Sequence, residues 1–129
     1  MNNLDLKDRV AIITGGAQGF GFAISNRIIK SGGKVIIWDI DEKESKMAIE
    51  KINSKNVSYK IVDVTNYDDI KKALNEVEQK FGKIDIFINN AGITGVNTKV
   101  WDYPLDEWKK VIELDLNSTF YCCKAVVPY

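Results

Sequence analysis

Short runs of β-branched and aromatic residues alternate along this chain with longer stretches whose apolar positions recur every three to four residues. The short runs lie at 10–13, 35–38, 59–62 and 84–88. Their apolar character is nearly continuous, as expected of parallel strands covered on both faces. Helical spacing fills the gaps. One helix is expected from about 19 to 31, with Phe20, Ala23, Ile24 and Ile28 on one side. A charged helix follows over 41–54, carrying Ala48, Ile49 and Ile52. Over 67–81 the residues Ile70, Leu74, Val77 and Phe81 form an amphipathic stripe. Asn66 or Thr65 is placed to cap that helix and Gly82 to end it. The last pattern opens at Pro104, a favoured first helical residue. Leu105, Trp108, Ile112, Leu116, Phe120, Cys123 and Val127 continue it as one stripe.

Strand-helix-strand alternation implies βαβ units, right-handed crossovers and a parallel sheet. The expected fold class is α/β, a Rossmann-type doubly wound parallel sheet. Four strands in the order 3-2-1-4 make up the N-terminal portion of the six-stranded arrangement. The sequence therefore reads as incomplete, with strand 4 a bare hydrophobic edge and the 129 residues poorly soluble on their own.

Composition narrows the chemistry. Lys+Arg and Asp+Glu are both 18, so no basic excess favours nucleic acid or an anionic membrane surface. With no histidine, Ser-His-Asp, Cys-His and HExxH sites are excluded within this chain. Adjacent Cys122 and Cys123 are too few and too close for a structural zinc site, so no metal is expected. They suit helix packing in a reducing compartment. The polar start lacks a signal-peptide core and no apolar run approaches a membrane span, which points to a cytoplasmic protein.

The chemistry-bearing segment follows the first strand: Thr14-Gly15-Gly16-Ala17-Gln18-Gly19-Phe20-Gly21. Gly15 permits a sharp turn, Gly19 a close approach of backbone to a pyrophosphate, and Gly21 tight packing of the next helix. The amides and dipole at that helix's N-terminus then face an anion. No Lys-Ser or Lys-Thr follows, so the loop is not a P-loop. Asp39 ends the second strand, where a carboxylate accepts from adenosine ribose hydroxyls and repels a 2′-phosphate. Gly16, Ala17, Gln18 and Ile40 offer that phosphate no cation, so NAD is favoured over NADP.

Together with Asp63-Val64 after strand 3, Asn89-Asn90-Ala91-Gly92 after strand 4 and Asn117 in the last helix, the loop resembles the short-chain dehydrogenase/reductase family over the whole chain. The TGxxxGxG form places it in that branch, similar to 3-oxoacyl-acyl-carrier-protein reductases and neighbouring sugar and alcohol dehydrogenases. The resemblance implies an NAD-binding domain over 1–129 and hydride transfer between nicotinamide and a carbonyl or alcohol substrate. It implies that Gly15, Gln18, Gly19, Phe20 and Gly21 border the pyrophosphate, largely through backbone, and that Asp39 and Ile40 meet the adenosine ribose. Asp63 and Val64 would border adenine, and Asn90, Ala91 and Gly92 the path to the nicotinamide ribose. Asn117 would be the catalytic asparagine, its main-chain carbonyl holding a water in the proton relay. The family's Ser and Tyr-xxx-Lys have no counterpart here, and neither Tyr121 nor Tyr129 fits the tyrosine, so this chain alone is expected to be inactive. The resemblance also implies a homo-oligomer. The alternative is a non-catalytic NAD-binding module.

Overall fold

The computed structural model describes residues 3–129. The elements run β1 (Val10–Thr14), α1 (Gly19–Lys30), β2 (Lys34–Asp39), α2 (Glu42–Ile52), β3 (Val57–Ile61), α3 (Tyr67–Phe81) and β4 (Ile86–Ile88). A 3-10 turn (Val100–Asp102), α4 (Leu105–Ile112), a π-helical segment (Glu113–Asn117) and α5 (Ser118–Val126) complete them. The four strands form one parallel sheet in the order β3-β2-β1-β4. This is the Rossmann-type order read from the sequence.

Why these segments are strands follows from their two-sided burial. Side chains alternate across a strand. Val10, Ile12, Ile36 and Trp38 therefore face α3 and α5 together with Ile70, Leu74, Val77 and Cys122. Ala11, Ile13, Val35 and Ile37 face the opposite layer with Ile28 and Ala48. Each aliphatic side chain taken out of water contributes about 1.5–3 kcal/mol before chain entropy is subtracted. The central pair β1 and β2 is almost wholly buried, whereas β3 and β4 are only partly covered. Continuous apolar runs thus sit where two helical layers meet. The helix ends follow local rules as well. Asn66 caps α3 by accepting from the Asp68 and Asp69 amides, and Gly82 closes it at φ 74°.

The final helical pattern differs from its sequence reading. Pro104 is the N-cap of α4 rather than its first residue. The pattern is also broken by the π segment, whose extra residue rotates the face beyond it. Leu105, Trp108, Leu116, Phe120 and Val127 point outward, and the face turned to the core is Ser118, Cys122 and Ala125. These small side chains let α5 lie close to α3, with Tyr121 packing edge-on against Tyr67 beside them. Of the two cysteines, Cys122 packs in the core, where burial pushes its thiol up to about 12, and Cys123 is exposed. In α1 likewise, Gly21, Ser25 and Ile28 are buried while Phe20 and Ala23 are exposed.

At the opposite end of the sheet from the glycine loop, Asp85 pins β4 to β1. Its carboxylate accepts from the Val10 amide at 2.8 Å and from Arg9 Nη1 at 3.0 Å, and pairs with Lys83 at 3.1 Å. The Val10 amide bond, followed by the Arg9 and Lys83 contacts, holds the Asp85 carboxyl down at about 2. A carboxyl held down in the fold stabilises above its ordinary value, near 4, and loses that contribution as pH falls through about 2. Asp85→Asn is expected to cost about 1 kcal/mol at neutral pH, solvent screening at this rim position having reduced the effect. It should also flatten the stability loss between about pH 4 and 2. Urea melts of both proteins across that range check this, and an unchanged acid limb in the variant would contradict it.

Candidate functional site

The carboxyl ends of β1, β2 and β4 converge with the segment after β3 on one edge of the sheet, where open α/β sheets bind ligands. After Thr14 the chain bends through Gly15 at φ 59° and Gly19 at φ 51°, a region that favours glycine. Gly15 N–H donates to the Trp38 carbonyl at 2.7 Å, which seats the bend on β2. Gln18 is the N-cap of α1, with extended backbone and no side-chain bond to the helix. Phe22 N–H is the amide that closes onto the Gln18 carbonyl, at 3.0 Å. The amides before it belong to the first turn, where a helix has no partner of its own to offer. A Cβ on Gly19 would meet nothing within 4 Å. The backbone is therefore open on that side to a group that needs its amides. The Phe20 side chain is 85% exposed, so what it brings to the loop is backbone.

Gly21 works through contact instead. A Cβ there would overlap the Gly15 carbonyl oxygen and lie 2.6 Å from Asn90 Nδ2. Asn90 donates from Nδ2 to the carbonyls of Thr14 and Gly15, at 3.1 and 3.0 Å. The Thr14 hydroxyl accepts from the Asn90 and Ala91 amides, both at 3.0 Å, and donates to the Ile88 carbonyl at 3.3 Å. This double latch joins the ends of β1 and β4 beneath the bend.

On the other side, Asp39 accepts from the Ala17 amide at 3.2 Å and from the Asp41 amide at 3.1 Å. It is a held carboxylate rather than a freely solvated one. Exposed Ile40 sits beside it. Asp63 is held by the Thr65 amide and hydroxyl at 2.9 and 2.6 Å, and Val64 is buried behind it.

Beyond the latch, Ile93 N–H donates to Asp115 Oδ1 at 2.8 Å, and a Cβ on Gly92 would lie 3.2 Å from the same oxygen. Asp115 lies in the π segment, as does Asn117. The Asn117 side chain turns the other way, with Nδ2 donating to Glu113 at 2.6 Å. Glu113 also accepts from the Tyr121 hydroxyl at 3.1 Å, and that bond raises the tyrosine above its ordinary range.

These pieces enclose a cleft of about 500 Å³, within the range of small-ligand sites. Gly15, Gln18 and Gly19 line one wall, Asp39, Ile40, Asp63 and Val64 a second, and Asn90, Ala91 and Gly92 a third. Phe20, Gly21 and Asn117 stand outside the lining. The sequence reading did not assign Trp38, Val62, Thr65 or Leu114 to the cleft that they line, nor the latch hydroxyl of Thr14 or Asp115 behind Ile93. Only Thr14 had a local signal, as the residue before the first glycine. The residues present fit a dinucleotide: an open amide bend, a fixed acid and apolar Ile40 and Val64 share one cavity. Among the described residues, no His, Cys, Asp and Glu cluster could hold a metal ion, and no helix is long and apolar enough to cross a membrane.

The family and the fold both have matches among known proteins. Residues 9–129 match the family model described as short chain dehydrogenase. The chain is 38% identical over 121 residues to 2-dehydro-3-deoxy-L-rhamnonate dehydrogenase (NAD(+)) of Sphingomonas sp. (strain SKA58), covering 94% of this chain and 48% of the relative. It is 39% identical to the "Probable NADP-dependent mannitol dehydrogenase" of Yarrowia lipolytica (strain CLIB 122 / E 150), covering 96% and 46%. NAD+-bound xylitol dehydrogenase superposes with a TM-score of 0.90 at 28% identity, over 94% of this chain and 47% of that one. The chain thus spans about half the length of the curated relatives it matches. By sequence, strand order and glycine bend, it belongs to the short-chain dehydrogenase family.

Proposed function

We propose that this chain is the NAD-binding part of an oxidoreductase that moves hydride between nicotinamide and a carbonyl or alcohol carbon. The observation that carries the proposal is the facing pair in one cleft: first-turn amides of α1 on one wall and the fixed Asp39 carboxylate on the next. Amides at a helix N-terminus suit a pyrophosphate, and a carboxylate at the end of the second strand suits a ribose with free hydroxyls.

Ile40 and Val64 would hold the adenosine end, and Asp63 would accept from its exocyclic amine. Asn90 and Ala91 hold the wall leading away from it, with Gly92 letting the chain pass close by. The bound nicotinamide supplies hydride chemistry, and the chain's residues bind and orient it. On the long helix, Asp115 is the side chain that holds the cofactor-facing loop, through Ile93. The role assigned to Asn117 rests on its main-chain carbonyl, since its side chain is committed to Glu113. In a polypeptide of the relatives' length, the acid/base groups would come from residues beyond this chain.

A preference for NAD rests on Asp39 and on the lack of a cation at Gly16, Ala17, Gln18 and Ile40. Two of the similar proteins carry NAD in their names and one carries NADP, so the acid rather than the family decides. In the intact protein, Asp39→Arg should lower affinity for NAD and raise the NADP-to-NAD affinity ratio at least about tenfold, a change worth about 1.4 kcal/mol. Calorimetric titration with each cofactor measures it. An unchanged ratio would refute the ribose assignment.

A further inference from the structure

We propose that Asp39 is also a positioning residue for the phosphate-binding bend, holding its middle through the Ala17 amide. This rests on the reading of the cleft as a dinucleotide site. The bend contains two glycines at positive φ, and glycine gives a loop little stiffness of its own. Its start is seated by the Gly15 amide on the Trp38 carbonyl and by Asn90 Nδ2 on the Gly15 carbonyl. Its end is the first turn of α1. Between them, the bond from Ala17 N–H to Asp39 Oδ2 is the side-chain tie to β2. The other carboxylate oxygen is braced by the Asp41 amide. Each oxygen has two acceptor sites, so both can hold an amide and still accept from a sugar hydroxyl. One carboxylate then reads the ribose and keeps the phosphate amides in register, and replacing it weakens the phosphate grip as well as the sugar contact.

The test separates these two tasks with a ligand that has the phosphates but no ribose hydroxyls. ADP and 2′,3′-dideoxy-ADP are titrated calorimetrically into the full protein as wild type, Asp39→Ala and Asp39→Asn. An asparagine oxygen keeps one acceptor for the Ala17 amide, while alanine keeps none. Asp39→Ala should weaken 2′,3′-dideoxy-ADP by about three- to tenfold, the loss of one hydrogen bond. Asp39→Asn should stay within about twofold of wild type for that ligand. Without ligand, hydrogen exchange at the Ala17 amide should be about tenfold faster in Asp39→Ala than in Asp39→Asn. Weakened ADP with unchanged 2′,3′-dideoxy-ADP and unchanged Ala17 exchange would overturn the positioning role and leave the ribose contact intact. Failure of wild type to bind either nucleotide would overturn both this proposal and the site reading it rests on.

Discussion

Gly21→Ala should destabilise the protein by about 2 kcal/mol and weaken NADH binding at least about tenfold. On an ordinary helix the same change would stabilise by up to about 1 kcal/mol, because alanine is the better helix former. Here the added methyl has no place to go. It would overlap the Gly15 carbonyl oxygen and press on Asn90 Nδ2, and both atoms belong to the latch under the bend. Overpacking of buried sites costs about 1–3 kcal/mol, which outweighs the propensity gain. Gly19→Ala gives the contrast. A Cβ at Gly19 meets no protein atom, so the cost is backbone strain of about 1–2 kcal/mol, and the methyl projects where a ligand's phosphates would lie. Thermal melts and NADH titration of the two variants check the pair. A Gly21→Ala protein as stable as wild type would mean that α1 and Asn90 are not packed as described.

Asn90→Ala should cost about 1–3 kcal/mol, because two partly buried carbonyls lose their donor. The more telling variant is Asn90→Asp. At neutral pH it places a carboxylate against the Thr14 and Gly15 carbonyl oxygens and should be worse than alanine. Protonation restores an O–H donor, so the aspartate variant should gain stability relative to the alanine variant as pH falls toward about 4. Urea midpoints at pH 7 and 4 measure the difference. An aspartate variant equal to alanine at both values would show that Asn90 does not face these oxygens.

Much of the fold was legible because its determinants are local. Continuous apolar runs mark the strands, Asn66 and Gly82 mark the ends of α3, and alternation of strands and helices leaves one common sheet order. Most of the cleft-lining residues share that advantage, since they sit at or just after the end of a strand, whereas Leu114 comes from the π segment. The less legible parts are relations between distant segments. Nothing near Asp85 announces that its carboxylate will meet the Val10 amide. Nothing near Asp115 announces Ile93, and Asn117 drew attention through its position in a family pattern. The long helix misleads for a related reason. Its large apolar residues form a regular stripe, yet close packing against α3 selects the small face of Ser118, Cys122 and Ala125. Periodicity finds an apolar face but does not say which neighbour can approach it.

The proposed function requires the bend between β1 and α1 to grip linked phosphates with its backbone amides while Asp39 meets the adjoining sugar. The most direct measurement is amide chemical-shift mapping of isotopically labelled protein titrated with ADP. Saturable shifts are expected to concentrate at Gln18, Gly19 and Phe20, with a second group at Asp39, Ile40, Asp63 and Val64. Shifts confined to other segments, or no saturable shifts at the bend while ADP binds elsewhere, would contradict it.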